Sequence, residues 1–129
     1  MVAVLEDSAG RMLFIRRGWK IARAPGVWCF VGGEVEPGET WEAAIEREVS
    51  EEVGLKVRAL EKIHQSVSPT GEFLLHWMRV QLVGGGQPLQ IHAVEVAEAH
   101  WLTVQEALKL DPILPALKAW LLAKSAAGK

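Results

Sequence analysis

The chain has 129 residues, half of them apolar, which is enough for one compact domain with one core and too little for two. Sixteen acidic against fourteen basic side chains leave a formal charge of −2, so no overall basic field recruits nucleic acid or an anionic membrane. The single cysteine, Cys29, excludes an internal disulfide framework and a cysteine-rich zinc pattern. No segment reaches the roughly 18 apolar residues of a membrane span and the start does not read as a signal peptide, so the expected location is the cytoplasm.

In chain order, Val2 to Leu5 and Met12 to Arg17 are short β-prone runs around the turn-rich Asp7-Ser8-Ala9-Gly10, and they read as a hairpin. Residues 18 to 27 carry Gly18, Pro25 and Gly26, which break regular structure, before a strand predicted at Val27 to Val31. From Thr40 to Val53 the periodicity changes. Trp41, Ala44, Ile45, Val49 and Val53 recur at spacings of three and four, as in an amphipathic helix with Thr40 to cap its start and Gly54 its end. Val57 to Ser66 and Phe73 to Val83 read as strands joined by the turn signal Pro69-Thr70-Gly71, the second with Leu74, His76, Met78, Val80 and Leu82 on one face. A short strand is predicted at Ala99 to Leu102. Helices follow at Thr103 to Leu110 and Pro112 to Lys124, the latter with Asp111 as its cap. Strands first with one central helix, then helices at the end, predict a mixed sheet covered on two faces.

The stretch from Gly32 to Leu55 concentrates eight glutamates. On a helical wheel with Glu48 at zero, Glu52 falls near about +40° and Glu51 near about −60°, so the three share one side. The apolar stripe lies between about +20° and +140°, and Glu52 falls within it. Three carboxylates in the last two turns oppose the helix dipole and one another. Two charges ~6 Å apart repel by roughly 3 kcal/mol at an effective dielectric of 20. Arg47, four residues before Glu51, offsets part of this. A divalent hard cation offsets the rest, and all-oxygen ligation suits magnesium, manganese or calcium. Glu42 and Glu46 read as solvated helix surface. Gly32, Gly33 and Gly38 form a loop where backbone can approach a ligand closely, with Glu39 at the helix entrance.

Gly33, Glu39, Arg47, Glu48, Val49, Glu51, Glu52, Gly54 and Leu55 fill every fixed position of G-x5-E-x7-R-E-U-x-E-E-x-G-U, where U is a bulky aliphatic residue. On these residues the chain resembles the Nudix hydrolases, and its layout resembles a Nudix domain over almost all of residues 1 to 129. The resemblance implies an α/β/α sandwich with a mixed β-sheet, the box helix on one face and the C-terminal helices on the other. It implies divalent-metal-dependent hydrolysis of a pyrophosphate bond in a nucleoside diphosphate linked to another group, with Mg2+, or Mn2+, as the cofactor. Glu48, Glu51 and Glu52 are the implied metal ligands, Glu39 and Gly33 contribute, and Arg47 orients a catalytic glutamate. The general base is a box glutamate or one from a distant loop, Glu98 or Glu95.

Outside the signature, Arg16, Arg17 and Arg23 occupy strand-end and loop positions from which guanidinium groups reach phosphates, with surface ion pairs as the ordinary alternative. Trp28, Trp41, Trp101 and Trp120 read as core. Trp19 lies in a loop and is a candidate to stack on a base, and His76 or Trp77 to line the sheet where a base would lie. The short length and the tryptophan before the box resemble MutT-like enzymes that split nucleoside triphosphates into monophosphate and pyrophosphate, although Val31 stands where a proline is usual. Pro69 resembles a position in ADP-ribose pyrophosphatases, which is the alternative. A nucleotide-sensing module without hydrolysis is the alternative of another class. The expected partner is a small nucleotide, not a nucleic acid or membrane, and the chain is expected to act as a monomer or homodimer.

Overall fold

The computed structural model describes residues 1–128; Lys129 lies outside them. Six strands, β1 (Val2–Leu5), β2 (Met12–Arg17), β3 (Trp28–Cys29), β4 (Val57–Val67), β5 (Leu74–Leu82) and β6 (Val96–Leu102), combine with helices α1 (Trp41–Val53), α2 (Val104–Ala107) and α3 (Pro115–Ala127). The strands form two three-stranded sheets, β1-β5-β4 with β1 parallel to β5, and the antiparallel β3-β2-β6. Backbone bonds between Ala3 and Val31 and between Gly33 and Met1 tie the two sheets together.

Period-two alternation divides the interior into two layers. Ala3, Leu5, Leu13, Ile15, Met78 and Val80 point to the side covered by Ile45, Val49 and Val53 of α1. Val4, Met12, Phe14 and Trp77 point to the other, where Leu117 and Leu121 of α3 and Ala107 of α2 cover them. This is the α/β/α arrangement with the box helix and the C-terminal helices on opposite faces. Trp28 is buried, and Trp41, Trp101 and Trp120 pack against the two layers, as core tryptophans should.

Several local expectations are corrected. The Asp7 turn forms, with the Asp7 carboxylate accepting from the Ala9 and Arg11 amides, but β1 and β2 share no ladder among the described residues: the isolated Glu6–Met12 bridge follows β1, and the two strands belong to different sheets. Both faces of β1 are apolar, so burial requires neighbours that a free hairpin would not supply. The strand predicted at Val27 to Val31 is reduced to Trp28–Cys29, because Val31 leaves β2 to pair with Ala3. The strand predicted from Ala99 begins at Val96, and α2 ends at Ala107 rather than Leu110. The last helix starts at Pro115, not Pro112. Residues 112–114 instead run beside β3, where Trp28 N–H donates to Pro112 O and Leu114 N–H to Trp28 O. Pro115 takes the first helical position, and Asp111 caps nothing there.

Candidate metal and phosphate site

Helix α1 begins with the Thr40 hydroxyl accepting from Ala43 N–H at 3.1 Å and ends at Gly54, whose φ of 70° is the left-handed cap. Both signals are local, which is why they are legible in sequence. Among the described residues, Glu52, on the apolar stripe, is the one charged residue in the buried set, with 6% of its surface exposed. Its Oε2 is buried and has no hydrogen-bond partner. Burial, with the neighbouring Glu48 carboxylate, pushes Glu52 far above the ordinary carboxylate range; Glu95 adds to this and Arg17 opposes it. Gly33 lies against Glu48 so closely that a Cβ there would overlap the Glu48 carboxyl.

Arg47 gathers the other carboxylates. Its Nε and Nη2 donate to the two Glu39 oxygens at 2.8 and 3.0 Å, and Nη1 donates to Glu48 at 2.9 Å and Glu51 at 3.2 Å. These bonds raise the guanidinium pKa and lower that of Glu39. Both Glu39 oxygens are therefore committed to Arg47, and Oε1 also accepts from Glu36 N–H. Gly33 O accepts from the Met1 ammonium at 2.7 Å. Among the described residues, no three acidic, histidine or cysteine side chains converge on a point ready for an ion, because the guanidinium occupies the centre of the cluster. The donor set nevertheless fits a hard divalent cation: oxygen donors only, a buried carboxylate oxygen without a partner, and a second carboxylate beside it.

A feature that sequence reasoning missed brings Glu95 to this place. The last carbonyls of α1 are covered by residues 90–92, with Gln90 N–H donating to Val53 O and His92 N–H to Glu52 O, both at 2.9 Å. Glu95 and Val96 N–H then bond to His92 O, and Gly18 N–H to Glu95 O. The segment is therefore fixed between the end of α1 and the end of β2, and the Glu95 charge acts on Glu52. No local pattern announces such a non-local cap.

Arg17 also reaches this side. Burial raises the pKa of both Glu52 and Cys29, the Arg17 guanidinium opposes both rises, and its Nε donates to Arg23 O at 2.9 Å. Arg16 and Glu98 do not. Met12 and Phe14 on β2 face the C-terminal helices, so Arg16, two residues further, shares their face, and Glu98 is its cross-strand neighbour on β6. Glu98 pairs with His100 at 3.3 Å and with Arg16 at 3.4 Å, and these bonds, that of His100 foremost, hold its carboxyl below the usual range. Trp19 stands over Arg16, Arg23 over Phe73, and half-buried His76 lies on β5 opposite Gln65. Trp77 is core rather than sheet surface.

A family model described as the NUDIX domain matches residues 1–122. The chain belongs to the Nudix family. Similar proteins include the NAD-capped RNA hydrolase NudC of Deinococcus radiodurans, 38% identical over 99 residues that make up 77% of this chain. The matched part is only 35% of that protein, so this chain spans about a third of its length. A putative 8-oxo-dGTP diphosphatase 2 of Mycobacterium tuberculosis is 33% identical over 99 residues, 74% of this chain and 67% of that one. The crystal structure of a MutT protein from Methanosarcina mazei superposes with a TM-score of 0.82 at 20% identity, covering 99% of this chain and 92% of that one, and supports the fold. The chain is thus a member of a family of pyrophosphohydrolases that generally use divalent metal, and its named relatives include hydrolases of nucleotide substrates. Among the described residues no helix is long and apolar enough to cross a membrane.

Proposed function

We propose that this Nudix hydrolase, a single domain, splits a nucleoside triphosphate into monophosphate and pyrophosphate with magnesium, or manganese, held by Glu48, Glu51 and Glu52. The observation that carries the reading is Glu52: a buried carboxylate with an unpartnered oxygen is costly unless a cation completes it. Bound there, divalent metal supplies charge neutralisation and polarisation of phosphoryl oxygens. Arg47 holds Glu48, Glu51 and Glu39 in place, and Gly33 leaves room for the Glu48 carboxyl. Arg17 binds a phosphate on the same side. Glu95, fixed beside Glu52, is the better placed of the two distant carboxylates to accept a proton from water, since Glu98 lies on the other face of the sheet.

The test is incubation with magnesium and a panel of nucleoside triphosphates, ADP-ribose, dinucleotides and NAD, with products identified by mass. Monophosphate plus pyrophosphate is expected, reduced about 10²–10⁴-fold by Glu95→Gln, the effect of a lost acid–base group, and at least about a hundredfold by Glu52→Gln, which removes a metal ligand. AMP plus ribose phosphate from ADP-ribose selects the nucleoside diphosphate sugar reading. Cleavage of NAD is the outcome that the likeness to NudC favours. Nucleotide binding without any turnover selects a sensing module.

A further inference from the structure

Gly18 follows Arg17 at the end of β2 and stands against the segment that carries Glu95. The ladder between β2 and β6 slips between Arg16 and Arg17, sets Arg17 opposite Val96, and runs on to a last bond in which Gly18 N–H donates to Glu95 O at 2.8 Å. A Cβ on Gly18 would overlap the Val94 carbonyl oxygen and lie 3.0 Å from Val94 C and 3.3 Å from Glu95 C. These are backbone atoms, which no change of rotamer moves aside. Gly18 does not have a positive φ, so glycine is needed here for space alone. The two sides of the contact differ in firmness. Arg17 N–H donates to Val27 O at 2.9 Å, its carbonyl accepts from Gly26 N–H at 3.0 Å, and Arg16 is paired with both Trp28 and Glu98. Residues 91–95 are exposed and hang from the end of α1 by the bonds of Gln90 and His92. A side chain at position 18 therefore displaces Glu95 and leaves Arg17 where it is.

We propose that Gly18 is a positioning residue for hydrolysis: its missing side chain lets the end of β2 meet residues 94–95 backbone to backbone, and this contact sets the Glu95 carboxylate beside Glu52. The inference rests on the reading of Glu95 as the group that accepts a proton from water. Glu95 is exposed, so its place depends on where the backbone holds it. Its peptide is held at two points, the N–H on His92 O at 3.1 Å and the carbonyl on Gly18 N–H. The first bond lies within the segment, and the second is the one that ties Glu95 to the sheet. A misplacement of about 1 Å is enough to lower a rate about a hundredfold. Arg17 immediately precedes Gly18, so the group that holds phosphate and the group that takes the proton meet at one backbone junction.

Gly18→Ala and Glu95→Gln, made singly and together, test this with magnesium and the substrate that the product panel identifies. Gly18→Ala is expected to lower kcat about ten- to a hundredfold with KM within about threefold of the wild type, because Arg17 keeps its place. In the Glu95→Gln background the same substitution is expected to change kcat by less than about twofold, a silence that a merely structural defect would not produce. Amide hydrogen exchange of the metal-free protein reads the contact without turnover: Gly18→Ala is expected to speed exchange at position 18 and at Val96 about tenfold or more and to leave Phe14 to Arg16 unchanged. If Gly18→Ala does not fold, a glycine inserted between Ala93 and Val94, in the exposed turn, slackens the same contact and is expected to give the same fall in kcat. A kcat of Gly18→Ala within about threefold of the wild type, losses that add in the double variant, or full activity of the insertion variant overturns the proposal. Wild-type activity in Glu95→Gln overturns the reading of Glu95 and this inference with it, whereas a crippled Glu95→Gln beside an unimpaired Gly18→Ala overturns this inference alone. A wild type that turns over no substrate, while exchange responds as expected, overturns the hydrolase reading and leaves Gly18 as the residue that places Glu95.

Discussion

At the scale of single residues, Glu52 sets the pH behaviour of the metal-free protein. Its ordinary carboxyl value is 4.5, and burial beside Glu48 moves it up to about 9 in the folded chain. The folded state therefore keeps a proton that the unfolded state has released, and stability falls as pH rises through that interval. Below the unfolded value both states are protonated and the full contribution is present. Thermal melts of metal-free protein between pH 5 and pH 9 should show a declining Tm that Glu52→Gln flattens. At pH 8 the variant should be the more stable by a few kcal/mol, since each pH unit above the ordinary carboxyl value at which only the folded state keeps the proton costs the wild type about 1.4 kcal/mol. Magnesium should restore Tm at pH 8 in the wild type and not in the variant. A Tm that rises with pH, or a variant less stable at pH 8, would contradict this account. The position of Glu52 was readable in advance, because the wheel placed it within the apolar stripe. The hold of Arg47 on Glu39 was not, since nothing in spacing says that both Glu39 oxygens turn toward the helix rather than toward a ligand.

At the scale of elements, α1 is a unit whose two ends depend on different kinds of information. Thr40 and its start are local. The C-terminal end depends on Gly54 and on residues 90–95, which arrive from far along the chain. Gly54 has φ of 70°, and a Cβ there would stand 2.7 Å from Gln90 Cβ. Gly54→Ala combines left-handed strain with displacement of the covering segment, so a loss of at least about 1–2 kcal/mol is expected in denaturant melts. Because the same segment carries Glu95, hydrolysis should fall in the variant even under conditions where it is fully folded. Retained activity at reduced stability would show that Glu95 is not positioned through this cap. The other elements divide in the same way. Helix α1 was legible because its period is strong, whereas the start of α3 was misplaced because residues 112–114 are recruited by Trp28, a partner more than eighty residues away.

At the scale of the whole molecule, two covered faces of the sheet were foreseeable from the order of strands and helices, but the pairing of strands was not. β1 joins β5 rather than β2 because both of its faces need cover. This order leaves β4 at an edge, eleven residues long and exposed over much of its length. Register slips at Leu60 and Ile63 distort that edge, and Glu46 accepts from Ala59 N–H at 3.0 Å. Antiparallel pairing of two such edges about a two-fold axis sets one residue against its own copy. An axis at Glu61 opposes two carboxylates, and one at Lys62 opposes two ammonium groups. These are the devices by which a sheet edge resists self-association. Lys62→Val should therefore raise self-association above that of the wild type at equal concentration, measured by sedimentation velocity. Unchanged sedimentation would mean that the bulges alone protect the edge.

The opposite facing of Arg16 and Arg17 makes the end of β2 an intolerant place of an unusual kind. Replacing either arginine removes that side chain's own contacts and leaves the rest of the strand where it was. Inserting or deleting a single residue between Ile15 and Gly18 does something different: it exchanges the two sides of the sheet at that point, so that each guanidinium meets the other's surroundings. Length, more than identity, is therefore what selection should guard in these few residues.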